Sequence, residues 1–171
     1  MIKISKIILF ISLLVSCGEK EADLIKTNSY FKNGFSFEYP GNWSVSNEIN
    51  IDTYNHVMLD TTADSLAIIE LSETSEAQDF KEYANEFSKS TQGEMPIGKI
   101  ITKGTKYTDN EIIENLSIEL LGESIPHKRY YFKKIIGDKV CYITFQLPTE
   151  DESKVIKGYD LIKSSIKYKN P

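Results

Sequence analysis

Two histidines, His56 and His127, and two cysteines, Cys17 and Cys141, are the side chains here best suited to metal binding or nucleophilic chemistry. A catalytic zinc site draws on about three protein ligands with His or Cys prominent, and no His-rich or Cys-rich spacing occurs. His56 and Asp60 are four apart; on a strand they share a face but lie about 13 Å from each other. Cys141 alternates with Ile143, Phe145 and Leu147, so it reads as a small buried apolar residue, although a Cys141–His127 nucleophile pair is conceivable. The sequence has no G-x-S-x-G elbow and no phosphate-cradling glycine-rich loop. Ser36 and Ser44 flank hydrophobic strand residues. Asp151 and Glu152 sit where a helix N-terminus favours negative charge. No catalytic residue, cofactor or metal ligand is assigned.

Cys17 has a sharper reading. Lys3 and Lys6 precede an apolar run, Ile7 to Val15, interrupted only by Ser12. Nine helical residues rise about 13 Å, far less than a bilayer's hydrocarbon core, so the run fits a signal-peptide segment. Leu14-Val15-Ser16-Cys17 resembles a bacterial lipobox. Small Ser16 fits the peptidase pocket, the Cys17 thiol accepts a diacylglyceryl group, and cleavage between them leaves lipidated Cys17 first. Residues 1–16 are then signal peptide, and 17–28 a lipidated N-terminus and flexible tether reaching about 20 Å. With two or three acyl chains each contributing about 0.8 kcal/mol per buried CH₂, anchoring is stable.

The 171 residues, 40% hydrophobic and 26% charged, suit one globular domain and exclude collagen-like or low-complexity chains. The net charge of −5 becomes −7 once Lys3 and Lys6 leave with the signal peptide. That argues against a nucleic-acid binder, which carries a basic stripe, and a polybasic membrane contact is not expected. The membrane partner is reached through lipid alone. Gly18 stands where many inner-membrane lipoproteins carry Asp, and Glu19, Glu21 and Asp23 resemble a surface-export signal. These features favour the outer membrane, on either its periplasmic face or the cell surface.

The elements that must position any site follow from periodicity. Asn33-Gly34 is a type I′ hairpin signal joining Tyr30–Lys32 to Phe35–Tyr39, where Phe35, Phe37 and Tyr39 share a face. Pro40-Gly41-Asn42 forms a turn before a strand from Trp43 to Val45. His56–Asp60 and Ser65–Leu71 are strands. Phe80, Tyr83, Ala84 and Phe87 mark a helix over 76–90, with Ser75 and Gln78 as its capping box and Gln92-Gly93 and Pro96 ending it. Strands follow over 97–106, 111–121, 128–136 and 139–147. A second helix begins after Pro148, with a Thr149–Glu152 capping box and a stripe of Val155, Tyr159, Ile162 and Ile166; 165–169 is either its end or a short strand. Tyr130-Tyr131-Phe132 puts aromatics on both faces of one strand. Either helices cover both faces, or one face is an exposed binding patch.

The expected fold is α+β, a mostly antiparallel sheet flanked by helices. Gly34-Phe35-Ser36-Phe37-Glu38-Tyr39-Pro40, then Trp43 and Val45, resembles the opening of PsbP-like and DcrB/LpqN-like domains, which group with the Ran-binding Mog family. Ile162 with Ser164-Ser165-Ile166 resembles their closing segment. The resemblance covers about residues 29–169 as one domain and implies an α/β/α sandwich. It also implies a non-enzymatic role: PsbP binds the photosystem II core, Mog a GTPase, and some DcrB relatives chaperone hydrophobic effectors. The expected function is a membrane-anchored, non-catalytic module that binds an envelope protein. The alternatives are an envelope hydrolase with an unrecognised site and a carrier of a small apolar ligand.

Overall fold

The computed structural model describes residues 20–51, 53–94 and 98–169. Ser16, Cys17, the apolar run before them, Gly18 and Pro96 lie outside the described residues. The elements are β1 (Thr27–Lys32), β2 (Phe35–Pro40), β3 (Ser44–Ile51), β4 (Tyr54–Asp60), β5 (Leu66–Glu73), α1 (Phe80–Glu94), β6 (Lys99–Tyr107), β7 (Glu111–Leu120), β8 (Glu123–Ile136), β9 (Lys139–Pro148), α2 (Glu152–Ser165) and β10 (Lys167–Tyr168). All strand pairs are antiparallel.

The strands form two sheets rather than one. β1-β2-β10 is a three-stranded sheet, and β3-β4-β5-β9-β8-β7-β6 a seven-stranded one. The break falls at the Pro40-Gly41-Asn42 turn. There the Trp43 N–H bonds the Pro40 carbonyl, and the chain leaves the small sheet for the large one. The β1–β2 hairpin turns through Asn33 and Gly34, with φ of 49° and 79°, as a type I′ turn requires. A Cβ on Gly34 would lie 1.9 Å from the Lys169 carbonyl oxygen, so the hairpin tip also holds the end of β10.

Two layers bury the large sheet. On one face, α2 and the small sheet enclose Trp43, Leu59, Ile69, Cys141, Ile143, Phe145 and Leu147 together with Val155, Tyr159 and Ile162. On the other, Phe80, Tyr83, Ala84 and Phe87 of α1 meet Ile112, Tyr131, Val140 and Tyr142. The helical stripes and the β9 alternation therefore read correctly. Tyr130 and Tyr131 are both buried, on opposite faces, so helices cover both sides of β8.

Several local expectations need correction: Gln92 and Gly93 lie within α1 rather than ending it, β3 runs on to Ile51, and β8 begins at Glu123 rather than 128. Helix α1 starts at Phe80, not 76. Asp79 Oδ1 accepts from the Lys81 and Glu82 N–H groups and caps it, while Ser75 belongs to a separate 3₁₀ turn. α2 has no Thr149 capping box; Thr149–Asp151 is also a 3₁₀ turn, with Asp151 paired to Lys154. Finally, the stretch read as tether is docked from Glu21 onward. Asn42 Nδ2 donates to the Glu21 carbonyl and the Asp23 N–H to Asn42 Oδ1, while the Ala22 N–H reaches Lys154 O and the Gly41 N–H reaches Asp23 O. β1 then starts at Thr27, ahead of the expected Tyr30.

Candidate functional site

Adjacent antiparallel strands bring together residues far apart in sequence. On the α1 face of the large sheet, His56 of β4 stands opposite Glu70 of β5, and Glu70 opposite Tyr142 of β9. Tyr54 shares the His56 face two residues away, and α1 lowers Tyr83 onto the group. Glu70 Oε1 accepts from the Tyr54 hydroxyl and lies 3.3 Å from His56 Nδ1; Oε2 accepts from the Tyr83 hydroxyl at 2.6 Å. Tyr83 also meets Thr144 Oγ1 at 3.0 Å. Burial pushes the Glu70 carboxyl up, but the hydrogen bonds from His56, Tyr54 and Tyr83 outweigh it and hold the group below the usual carboxylate range. Burial, reinforced by the Glu70 charge, pushes the Tyr54 and Tyr83 hydroxyls up, so they stay protonated donors.

A cleft of about 390 Å³ opens beside this cluster, lined by Tyr54, Glu70, Ser72, Glu76, Gln78, Tyr83 and Tyr142. Tyr83 and Tyr142 stack with centroids 4.3 Å apart at 13°, and Phe80 stacks on Tyr142. The Tyr142 hydroxyl donates to the Gln78 carbonyl at 2.7 Å, fixing its ring.

The same face holds a second network under the C-terminal half of α1. Fully buried Arg129 donates to Gln146 Oε1, Ser88 Oγ, Tyr131 OH and Thr91 Oγ1, with Glu114 Oε2 at 3.5 Å and the Phe87 ring against its guanidinium. Its donors are engaged by side chains of α1 and the sheet, which makes it a strut rather than an open site.

The residues singled out by type fall elsewhere. Cys141 is fully buried in the α2-side core, and burial pushes its thiol far above the range in which it ionises. His127 stands opposite Pro148, seven residues along β9 from Cys141, or roughly 23 Å at the strand rise, so the two form no pair. His56 and Asp60 share a face of β4 without meeting; His56 meets Glu70 across the ladder instead. Among the described residues no group of three His, Cys, Asp or Glu side chains converges as metal ligands. Glu70, Tyr54 and Tyr83 were missed. The available signal was Tyr54, His56 and Glu70 at alternating positions of two successive strands, which a short turn places face to face.

No protein-family model and no curated protein sequence matches the chain. Solved structures do. The solution structure of cyanobacterial PsbP (CyanoP) from Synechocystis sp. PCC 6803 superposes with a TM-score of 0.51 at 12% identity, over 90% of this chain and 96% of that one. The fold is PsbP-like. Fainter likenesses are the Saccharomyces cerevisiae Ran-binding protein Mog1p (TM-score 0.46, 11% identity, 84% of this chain and 96% of that one) and Mycobacterium tuberculosis LpqN, described as involved in cell envelope biogenesis (0.40, 10%, 85% and 91%). The opening motif that suggested the PsbP-like fold is structural here. Phe35 and Phe37 are buried in the small sheet, and Trp43 stacks on Phe145, centroids 5.9 Å apart. The Glu70 cluster lies outside that motif, across the large sheet from it. Among the described residues of this PsbP-like domain no helix is long and apolar enough to cross a membrane.

Proposed function

We propose that this chain is a lipid-anchored bacterial envelope protein whose PsbP-like domain docks on another envelope protein and performs no reaction of its own. The observation that carries this reading is the engagement of its most reactive groups. Glu70 is held ionised by three donors, which makes it a weak base, and Cys141 is sealed in the core. The anchor rests on Leu14-Val15-Ser16-Cys17, cut before Cys17 and acylated there. The acidic stretch after Cys17 favours the outer membrane.

Docking of the chain from Glu21 sharpens the picture. Four residues from Cys17 to Glu21 reach at most about 14 Å, so the end of the domain bearing Asp23, Gly41, Asn42 and the start of α2 faces the bilayer. The opposite end, with Ile51, Tyr54 and the cleft, then points away from it. There Ile49 and Ile51 are 49% and 62% exposed on β3, a strand paired on one side only. The other edge of the large sheet, β6, carries Lys99, Lys103 and Lys106, charges that discourage strand addition. An extended segment of the partner added to β3 fits this asymmetry.

A second reading, an envelope hydrolase, is favoured by one observation: His56 Nδ1 lies 3.3 Å from ionised Glu70 beside a cleft. Photocrosslinking from Ile49 and Ile51 in native membranes, with intact-mass analysis of the same chain, tests the proposal. The expected result is an acylated chain starting at Cys17 and one captured envelope protein, lost with Ile51→Lys and kept with His56→Ala. An unmodified full-length chain sinks the anchor. Loss of biological function in a folded His56→Ala variant, with crosslinking unchanged, favours the enzyme.

A further inference from the structure

The cleft beside Glu70 has a lining of one chemical character. Of its seven lining residues, three are tyrosines and two are glutamates, with Ser72 and Gln78 completing it. Its volume of about 390 Å³ suits a small ligand. The walls are fixed before anything binds. Tyr83 and Tyr142 stack on each other, Phe80 backs Tyr142, and the hydroxyls of Tyr142 and Tyr83 are committed to Gln78 O and Glu70 Oε2. Those buried rings form a rigid wall that costs little to order.

Glu70 keeps capacity to spare. Oε1 takes two contacts, Tyr54 and His56, whereas Oε2 takes Tyr83 alone. A carboxylate has about four lone-pair positions, which leaves one on Oε2. The side chain remains 18% exposed. A carboxylate set among aromatic rings attracts a positive charge carried on an apolar frame. Glu70 and Glu76 disfavour an anion. A bare divalent metal ion needs several converging ligands, and the described residues hold no such group.

We propose that this cleft is a binding site for an organic cation, an alkylammonium or guanidinium group, with its charge against Glu70 Oε2 and its carbon frame against the tyrosine rings. The site does not depend on the docking reading, because a small cation binds whether or not a partner protein sits on β3.

NMR titration of the intact chain tests it with three probes: choline, its uncharged isostere 3,3-dimethylbutan-1-ol, and propylguanidinium. Choline or propylguanidinium is expected to shift the amides of Ser72, Gln78, Tyr83 and Tyr142 saturably, and the isostere to bind about tenfold more weakly than choline. Preference for choline or for propylguanidinium assigns the head group. Glu70→Gln is expected to weaken binding about fivefold or more. Should that variant fail to fold, Glu76→Gln, an exposed substitution, is expected to weaken it about twofold. The proposal is overturned if neither cation gives saturable shifts at these residues, if choline and the isostere bind equally, or if the charge-removing variants bind the cation as tightly as the parent.

Discussion

The two faces of the seven-stranded sheet are both covered by helices and differently built. β9 shows this within one strand. Cys141, Ile143, Phe145 and Leu147 face α2 and the small sheet, in a layer where Trp43, Phe145 and Tyr159 stack and the Phe145 and Tyr159 rings lie within 6° of parallel. Tyr142, Thr144 and Gln146 face α1, and each of their polar ends has a partner. The first face is held mainly by area and shape, with directed bonds such as Tyr130 to Glu152 and Lys134 to the Ile166 carbonyl at its margins. The second is held by directed bonds, with α1 fastened to the sheet through Tyr83, Ser88 and Thr91. Shape tolerates no lost volume. Directed bonds tolerate no lost partner, because a buried group left unpaired costs more than the bond contributed. The polar cluster around Glu70, partly open to solvent, lies on the second face.

The contrast breaks first at Trp43. Its ring lies between Phe145 and α2, where a Cβ on Gly158 would sit 2.5 Å from Trp43 Cη2. Trp43→Ala therefore leaves a cavity walled by a helix and a strand that cannot both collapse into it. A loss of about 3–5 kcal/mol is expected from denaturant unfolding. A loss below about 1 kcal/mol would mean that the dry face does not depend on shape.

Arg129 puts the same question to the polar face. Arg129→Ala removes donors from Gln146, Ser88 and Thr91 and leaves Glu114 buried with only neutral donors, Tyr131 and Ser88. About 3 kcal/mol is expected, the lower end for breaking a buried pair, because those two donors remain. The double variant Arg129→Met with Glu114→Leu is expected to recover much of that loss, since no charge is then left unpaired. If the double variant is as unstable as the sum of the single changes, the ion pair is not what holds α1 there.

The dry face was legible in the sequence, and the polar face was legible only as elements. Period-2 and period-3.6 stripes report which side of a strand or helix is apolar, so the α2 stripe, the β9 alternation and buried Cys141 followed directly. Buried polar groups carry no such period. Glu70 looks like a solvated residue until β5 and β9 are known to be neighbours, a pairing set by the return of the β6–β9 meander rather than by anything local, and Arg129 looks like one until α1 is known to cover β8. The hairpin at Asn33-Gly34 could be read because its turn chemistry is local. The division into two sheets could not, because a Pro-Gly-Asn turn does not say which sheet the next strand joins. The capping residue of α1 was misplaced for a related reason. Asp79 is of a cap-forming type like Ser75, and docking of Phe80 and Tyr83 on the sheet selects the later start.

Glu70 is the smallest and most selective test of the comparison, because its contribution depends on pH in the acid range. Its folded carboxyl is held below the usual range by His56, Tyr54 and Tyr83, against an unfolded value near 4.3. A carboxyl depressed by folding contributes stability that is present above its unfolded pKa and is lost as pH falls through the folded one. Glu70→Gln keeps the size and one acceptor oxygen but removes the charge. At pH 7 it is expected to cost about 1.5–3 kcal/mol, as for loss of a hydrogen bond to a charged group. The gap between parent and variant is then expected to narrow as pH drops below about 4. Glu48 and Glu152 are depressed as well, so the parent loses stability in acid for several reasons. Both proteins share those losses, and the difference between them isolates Glu70. A gap that stays constant from pH 7 to pH 3 would mean that the three donors hold Glu70 by packing alone, and the two faces of the sheet would then differ in composition but not in how they are stabilised.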